Sequence, residues 1–223
     1  MDLVKYEKAK ARAIIRILTT YLNLDISGKK ILEIGCSTGA LMESLDKQGA
    51  NVYGIDVESP WSKAYYYGEN KRVICDLQDE DIPLKIPLNS FDLIIAQEVI
   101  EHIKKPYDFL SKIWKLLNTD GKLFLTTPNL NGITAVIKRE KWCGTAIESH
   151  YLLYSVRSLD FLLHNCGFQR LKIFTNLIPI VYQGEYPWLR WLNRCFIPLG
   201  FGGGIMGLYR KISQTSNLGK NKT

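Results

Sequence analysis

The chain has 223 residues, of which 46% are hydrophobic and 23% are charged. That length and composition support one domain with one buried core and argue against a largely disordered chain. The formal net charge is +7. Because the basic residues are scattered, we expect a solvated basic surface in preference to a nucleic-acid or anionic-membrane contact.

The five cysteines and three histidines show no spacing that indicates a disulfide framework or a metal site. No two cysteines form a C-x-x-C pair, and Cys36, Cys75 and Cys166 fall in apolar or glycine-rich patterns. We therefore expect reduced core thiols in a cytoplasmic protein. The histidines lack an H-x-x-x-H spacing, so no bound metal is expected. Neither a signal peptide nor a run of ~20 apolar residues that could span a membrane is expected.

Hydrophobic periodicity predicts helices and strands in alternation. An amphipathic helix over residues 3–22 comes first and is expected to pack on a sheet or to cover a ligand pocket. The predicted strands span residues 30–34, 51–55, 72–75, 91–96, 122–127, 169–180 and 205–212, and further helices span 40–48, 106–117 and 158–165. Residues 119–121 are predicted as a turn, and the stretch containing Trp142 and His150 as a loop. Alternating strands and helices indicate a parallel, doubly wound α/β sheet.

One stretch, K-I-L-E-I-G-C-S-T-G at residues 30–39, combines a strand, a tight turn and the start of a helix. This arrangement is typical of the first half of a nucleotide-binding unit. Gly35 and Gly39 permit positive φ and close approach of a ligand, and Ser37 fits the turn if its φ stays negative. Asp56, at the carboxyl end of the next strand, is placed to accept hydrogen bonds from both hydroxyls of a ribose.

These residues resemble a known family. The sequence E-I-G-C-S-T-G at 33–39 resembles the E/D-x-G-x-G-x-G loop of class I S-adenosylmethionine-dependent methyltransferases, with Ser37 in place of the middle glycine. Asp56 matches the ribose-binding acid of that family, and Asp76 its adenine-side acid. The sequence E-V-I-E-H at 98–102 resembles the motif after the fourth strand in the ubiquinone-biosynthesis-like branch.

The resemblance covers roughly residues 28 to 175, with its motifs in the family's order. It implies a Rossmann-like, seven-stranded and mostly parallel sheet in three α/β/α layers. The implied strand order is 3-2-1-4-5-7-6, with an antiparallel last strand.

The resemblance also implies S-adenosyl-L-methionine as the cofactor, bound at the carboxyl ends of the first four strands. The acid Glu33 before the turn suits a cationic amino group and suits a pyrophosphate poorly, which favours this cofactor over NAD. For Asp56 and Asp76 the alternative is an ordinary cap or turn acid, and for Gln97 a structural cap. The candidate cofactor-binding residues are Glu33, Gly35, Cys36, Ser37, Gly39, Asp56, Val57, Asp76, Leu77, Gln97 and Glu98.

His102 and His150 are the candidate catalytic residues. A hydroxyl acceptor needs a general base to remove its proton, whereas a thiolate or a free amine has less need of one. The alternative for His102 is packing against the following helix. For His150 it is a hydrogen-bonded place in a loop. Glu98 and Glu101 are alternatively caps or ion-pair partners of that helix.

The domain organisation is expected to be simple. A single domain over residues 1–212 comprises a helical cap at 1–27, a cofactor-binding core at 28–175, an acceptor-side loop at 130–157 and an aromatic insertion at 183–204, and a flexible tail follows at 213–223. The segment from Pro187 to Leu199 carries tryptophans and arginines. This segment could contact a membrane surface, or it could shield the acceptor pocket or form a dimer contact. We favour the second interpretation, a shield or a dimer contact.

The predicted function is S-adenosylmethionine-dependent methyl transfer to the oxygen or another heteroatom of a small-molecule acceptor. Quinone-like, lipid-like and glycan-linked acceptors are all compatible with the family branch. The alternatives are a binding protein that keeps the nucleoside pocket but has lost catalysis, and an NAD-dependent enzyme.

Overall fold

Seven strands form one sheet in the part of the chain that the structure, a computed structural model, describes: residues 3–60, 62–176 and 200–212. The strands are β1 (Lys30–Ile34), β2 (Asn51–Asp56), β3 (Arg72–Ile74), β4 (Phe91–Gln97), β5 (Leu117–Pro128), β6 (Phe168–Asn176) and β7 (Gly204–Lys211). Their order along the sheet is β3-β2-β1-β4-β5-β7-β6. Strands β1 to β5 pair in parallel, whereas β7 is antiparallel to β5 and β6. The predicted fold class and strand order are confirmed.

Helices cover both faces of the sheet and give the fold three layers. They are α1 (Leu3–Arg16), α2 (Ala40–Asp46), α3 (Pro106–Leu116), α4 (Ile133–Lys138), α5 (Cys143–Ala146) and α6 (Val156–Asn165). Along β4, Leu93 and Ile95 pack with side chains of α1 and α2, whereas Ile94 packs with those of α3 and α6. Alternate side chains of a strand point to opposite faces, so a strand buried on both faces has a continuous apolar sequence.

The N-terminal helix packs on the sheet, which is one of the two roles expected for it. Ala11 and Ile14 of α1 are buried in the same core as α2, and so is Leu18 in the π-helical turn Ile17–Tyr21 that continues the helix. The amphipathic pattern of residues 3–22 therefore reflects burial against β1 and β4.

The turn predicted over residues 119–121 is present inside the range of β5, because a Cβ added at Gly121 would lie 2.9 Å from Leu117 Cβ and the chain therefore turns back on itself. The strand begins at Leu117, its pairing with β4 is interrupted, and the pairing resumes at Lys122. Asn118 Oδ1 accepts a hydrogen bond of 3.1 Å from the Asp120 N–H, which is the side-chain bond of an Asx turn. Asn118 Nδ2 donates a hydrogen bond of 2.8 Å to Asp92 Oδ1 and so ties the turn to β4.

The prediction of a loop around Trp142 is wrong, since this stretch contains α4 and α5. The Trp142 side chain is only 2% exposed. Its carbonyl oxygen accepts hydrogen bonds from the backbone N–H groups of Thr145 and Ala146. Helices as short as α4 and α5 are hard to predict, because their sequences show neither a full amphipathic period nor a capping residue.

Some predicted segments differ at their ends or lie outside the described residues. α6 begins earlier than predicted, after a capping box formed by Ser155 and Ser158. The last part of the predicted strand 169–180, the segment from Pro187 to Leu199 and the tail 213–223 lie outside the described residues. Across the described ranges, no helix is both long and apolar enough to cross a bilayer.

Candidate functional site

The candidate site lies at the carboxyl edge of the sheet, where the glycine loop after β1 faces the end of β4. β1 pairs with β2 on one side and with β4 on the other. The chain therefore leaves β1 and β4 toward opposite faces of the sheet. In doubly wound sheets, ligands bind in the crevice between two such strands, at the point where the strand order reverses. The structure brings Glu33, Asp56 and Gln97 together at this edge, as predicted from the strand ends.

The glycine loop has a left-handed backbone at three positions. φ is +76° at Gly35, +45° at Ser37 and +80° at Gly39. The negative φ under which a serine would fit the turn without strain is therefore not the one that Ser37 adopts. The Ser37 N–H donates a 2.6 Å hydrogen bond to Asp56 Oδ2, and this charge-assisted bond offsets the strain of a left-handed L-residue.

Both outer glycines of the loop are also required by packing. A Cβ at Gly35 would lie 2.8 Å from Val99 Cγ2, and a Cβ at Gly39 would lie 2.7 Å from a ring carbon of Tyr65. The Tyr66 N–H donates to the Thr38 carbonyl oxygen at 3.1 Å. The tyrosine segment after β2 therefore holds the loop from outside.

Asp56 is 9% exposed and binds the loop through both carboxylate oxygens. Besides the bond from Ser37, its Oδ1 accepts a 2.8 Å hydrogen bond from the Val57 N–H. Burial raises the pKa of Asp56, while these two bonds and Arg72 oppose the rise. Each carboxylate oxygen has a second lone pair, so the acid retains capacity for a ribose hydroxyl.

Several buried polar atoms at this edge have no hydrogen-bond partner among the described residues. They are Glu33 Oε2, Thr38 Oγ1, Gln97 Oε1 and Glu101 Oε1. Glu33 is 4% exposed, and burial raises its pKa well above the usual value while Lys10 opposes the rise. Unpaired buried polar groups are rare. Four at one edge of a sheet indicate a site built for a polar ligand.

Asp76 and Leu77 have local roles in the structure. Asp76 Oδ1 accepts a hydrogen bond of 2.9 Å from the Gln78 N–H, as in a capped turn. The Leu77 side chain is buried in the core beside α3. This geometry matches the alternative of a turn acid, and a contact of either residue with adenine stays a prediction.

The end of β5 holds the two glutamates that follow β4. Thr126 Oγ1 donates to Glu98 Oε1 at 2.8 Å, and Thr127 Oγ1 donates to Glu101 Oε2 at 3.0 Å. Glu98 has a φ of +53°. Burial, together with the Glu98 carboxylate, raises the pKa of Glu101 to about 8. Neither threonine is among the site residues predicted from the sequence, although two consecutive hydroxyl residues at the end of a neighbouring strand were the available signal.

His102 and His150, which are far apart in sequence, lie together. Their ring centroids are 4.7 Å apart. His102 Nδ1 donates to the Ser149 carbonyl oxygen at 2.9 Å, and His150 Nδ1 donates to the Gly144 carbonyl oxygen at 3.0 Å. A carbonyl only accepts, so each neutral ring carries its proton on Nδ1 and presents a lone pair at Nε2. Burial lowers the pKa of His102, the hydrogen bond to Ser149 and the Glu98 carboxylate oppose the shift, and His150 adds to it.

The two histidines and Glu101 together form a cluster of side chains that could bind a metal ion. Glu101, His102 and His150 each offer one ligand atom, and these atoms lie within 4.8 Å of one another. A carboxylate and two imidazoles suit a divalent transition metal. The expectation of no metal rested on linear spacing, which does not detect ligands that the fold brings together.

A Rossmann-like, nucleoside-binding class of protein is defined by three features: the strand order, the glycine loop, and Asp56 at the end of β2. Residues 6–173 match the family described as methyltransferase domain, and the chain belongs to that family. The family predicted from the motifs is confirmed.

Similar proteins include ubiquinone biosynthesis O-methyltransferases. The Coxiella burnetii protein is 33% identical over 119 residues, which are 52% of this chain and 51% of the relative. The mitochondrial protein of Bos taurus is 35% identical over 178 residues, covering 73% of this chain and 47% of the relative. The chain thus spans about half the length of the curated relatives it matches.

Solved structures share the fold. A SAM-dependent methyltransferase from Archaeoglobus fulgidus has a TM-score of 0.65 and 19% identity, covering 90% of this chain and 94% of its own. The 1,6-didemethyltoxoflavin-N1-methyltransferase of Burkholderia thailandensis, with bound S-adenosylhomocysteine, has a TM-score of 0.59 and 16% identity, covering 92% and 80%.

Proposed function

We propose that the chain transfers the methyl group of S-adenosylmethionine to a hydroxyl oxygen of a small acceptor. The observation that carries this proposal is the pairing of two features at one edge of the sheet. A buried, unpaired carboxyl and a glycine loop lie on one side, and two imidazoles with free Nε2 lone pairs lie on the other. The relatives named as O-methyltransferases support the same acceptor atom.

The cofactor side is formed by Glu33, Asp56 and the loop from Gly35 to Gly39. The Glu33 carboxylate would pair with the methionine ammonium, and the Asp56 carboxylate would accept from the ribose hydroxyls. Gln97, at the end of β4, would present its free amide oxygen near the sulfonium. The cofactor supplies an electrophilic methyl group on sulfur, and the chain supplies alignment in a site shielded from water.

The acceptor side uses His102 or His150 as a general base. Nε2 takes the hydroxyl proton as the acceptor oxygen bonds the methyl carbon and the carbon–sulfur bond breaks. The base must be neutral before it acts. Burial lowers the pKa of His102, so this ring stays neutral to lower pH than a free histidine. Glu98 and Glu101, held by the two threonines, lie beside the pair and complete the site.

For the acceptor we favour a quinone-like or lipid-like molecule over a glycan-linked one. An apolar cavity of about 450 Å³ is lined by Leu130, Val136 and Trp142, among others. The Trp142 ring lies against Gly144, whose carbonyl oxygen holds His150. The stretch 130–157 would therefore form the acceptor side of a single domain, with residues 28–175 as its cofactor-binding core.

The proposal is tested by titration and by methyl transfer. Calorimetry should detect binding of S-adenosylmethionine and S-adenosylhomocysteine, and a labelled methyl group should appear on an oxygen of a phenolic or lipid acceptor. His102→Gln and His150→Gln are compared, with His164→Gln on α6 as the control. At least one of the first two should lower turnover by roughly 100-fold or more while the cofactor Kd stays unchanged.

Three results would contradict the proposal. Absence of cofactor binding removes the methyl donor. Binding without transfer to any acceptor favours the alternative of a non-catalytic binding protein. Normal turnover in both site variants excludes histidine as the base.

A further inference from the structure

A group of large aliphatic and aromatic side chains is exposed on and beside α4. Val136 is 66% exposed and Ile137 is 72% exposed, and Ile133 lies one turn earlier on the same helix face. Leu130 precedes the helix, and Phe201 is joined to it by a 2.9 Å hydrogen bond from the Ile133 N–H to the Phe201 carbonyl oxygen. We call Leu130, Ile133, Val136, Ile137 and Phe201 the α4 patch.

The patch is not a loose collection of surface residues. Leu130 and Val136 form the rim of the apolar cavity whose inner wall includes the buried Trp142. Large apolar side chains grouped at the mouth of a cavity mark a surface that meets an apolar environment.

Cations border the patch on the chain that follows α4. Lys138, Arg139 and Lys141 are all exposed, and Glu140 is the acid among them. None of the ion pairs found in the described ranges involves these three cations. Aliphatic side chains on one face with free cations next to them match the two components of an anionic lipid surface, its hydrocarbon and its phosphates.

A protein partner fits this composition less well, because protein interfaces are depleted in lysine and two lysines, Lys138 and Lys141, border the patch. Scattered basic residues alone favour a solvated surface, but beside the α4 patch the net charge of +7 adds a general attraction to an anionic surface. We propose that the α4 patch docks on an anionic lipid bilayer, with Val136 and Ile137 entering the apolar boundary and Lys138, Arg139 and Lys141 meeting lipid phosphates.

The position of the patch gives the docking a consequence for the proposed function. The cavity beneath it shares Trp142 with the wall that supports His150. A molecule that enters this cavity from the bilayer would meet Trp142, which lies against Gly144, the residue whose carbonyl oxygen binds His150. This consequence rests on the proposed function, whereas the docking itself does not.

Vesicle flotation tests the proposal with the full chain. Vesicles of phosphatidylcholine alone are compared with vesicles that also contain phosphatidylglycerol, at low and at high salt. The wild-type chain should bind the anionic vesicles, and salt should weaken the binding. The double variant Val136→Ser/Ile137→Ser should lower the partition coefficient by roughly tenfold or more. Lys138→Gln/Lys141→Gln should lower it by roughly fivefold for each charge removed.

Matched controls are an exposed apolar residue and an exposed lysine outside the patch. Phe161→Ser on α6 and Lys85→Gln in the loop before β4 should leave vesicle binding unchanged. Thermal unfolding and cofactor titration of every variant check that the fold and the cofactor site are intact. A variant that binds cofactor normally but no longer floats separates docking from the methyl-donor proposal.

Three outcomes overturn the docking. The first is no binding of the wild-type chain to anionic vesicles. The second is equal binding by Val136→Ser/Ile137→Ser and wild type. The third is a concentration-dependent dimer in solution that this double variant abolishes, because the patch then belongs to a second copy of the chain.

Discussion

Glu33 is a buried carboxyl whose protonation state should depend on the charge of the ligand bound beside it. Its Oε2 is buried and has no partner among the described residues, and burial raises its pKa well above the usual value. A carboxyl in that state is protonated at a pH where a free carboxyl is ionised. A bound ammonium group stabilises the carboxylate, lowers its pKa and so drives the proton out of the site.

Cofactor binding should therefore release a proton from Glu33. The affinity for S-adenosylmethionine should rise with pH until Glu33 is ionised in the free protein, and level off above that pH. Calorimetry in buffers of different ionisation enthalpy measures the release directly. Glu33→Gln should abolish it and weaken binding, whereas Asp160→Asn, which breaks the surface pair with Arg170, should change neither. A binding heat independent of the buffer would contradict the assignment.

Ser37 gives a second prediction because it has a φ of +45°. An L-residue in the left-handed region is strained and a glycine is not. Ser37→Gly should raise the free energy of unfolding by about 1 kcal/mol, with cofactor affinity unchanged or higher. Ser37→Ala keeps the Cβ and should give no gain.

Urea denaturation of the two Ser37 variants separates the backbone from the hydroxyl. A loss of stability in Ser37→Gly and Ser37→Ala alike would mean that the serine hydroxyl, and not the backbone conformation, sets the stability of the loop.

At the scale of elements, the parts that sequence predicts well are those with local causes. β4 is apolar throughout because both of its faces are buried, so residues 91–96 identify a central strand. Gly35 and Gly39 mark the loop because only glycine adopts that backbone freely and fits beside Val99 and Tyr65. Local chemistry leaves a readable pattern in such cases.

The parts that sequence predicts poorly depend on contacts between distant segments. The bond from Asn118 in β5 to Asp92 in β4 joins residues on two neighbouring strands. The pairing of His102 with His150 requires the segment after β5 to fold back over the end of β4. No periodicity in either stretch records such a contact, so neither could be predicted from the sequence alone.

The whole molecule divides into a cofactor side and an acceptor side that meet along β4 and β5. β1, β2 and β4 carry the glycine loop and the acids, whereas the stretch after β5 carries His150 and the apolar cavity. The two sides must stay in register for the methyl group and the acceptor oxygen to align. The end of β5 is where the acceptor side is attached.

Asn129, which follows β5 and is fully buried, makes this attachment. Its Nδ2 donates to the carbonyl oxygens of Gly200 at 3.0 Å and Gly202 at 2.7 Å. Its backbone N–H donates to the carbonyl oxygen of Gly203 at 2.9 Å. A side chain with these bonds ties the start of β7 to the first residue of the acceptor segment.

Asn129→Ala should therefore act on the acceptor and not on the cofactor. Losing the bonds to two carbonyl oxygens should cost about 1–3 kcal/mol of unfolding free energy, and the acceptor KM should rise while the cofactor Kd stays unchanged. Asn118→Ala is the control, because it breaks a partly buried side-chain hydrogen bond at the opposite end of β5. It should lower stability without changing either constant. If both variants raised KM equally, general destabilisation would explain the effect, and Asn129 would have no positioning role.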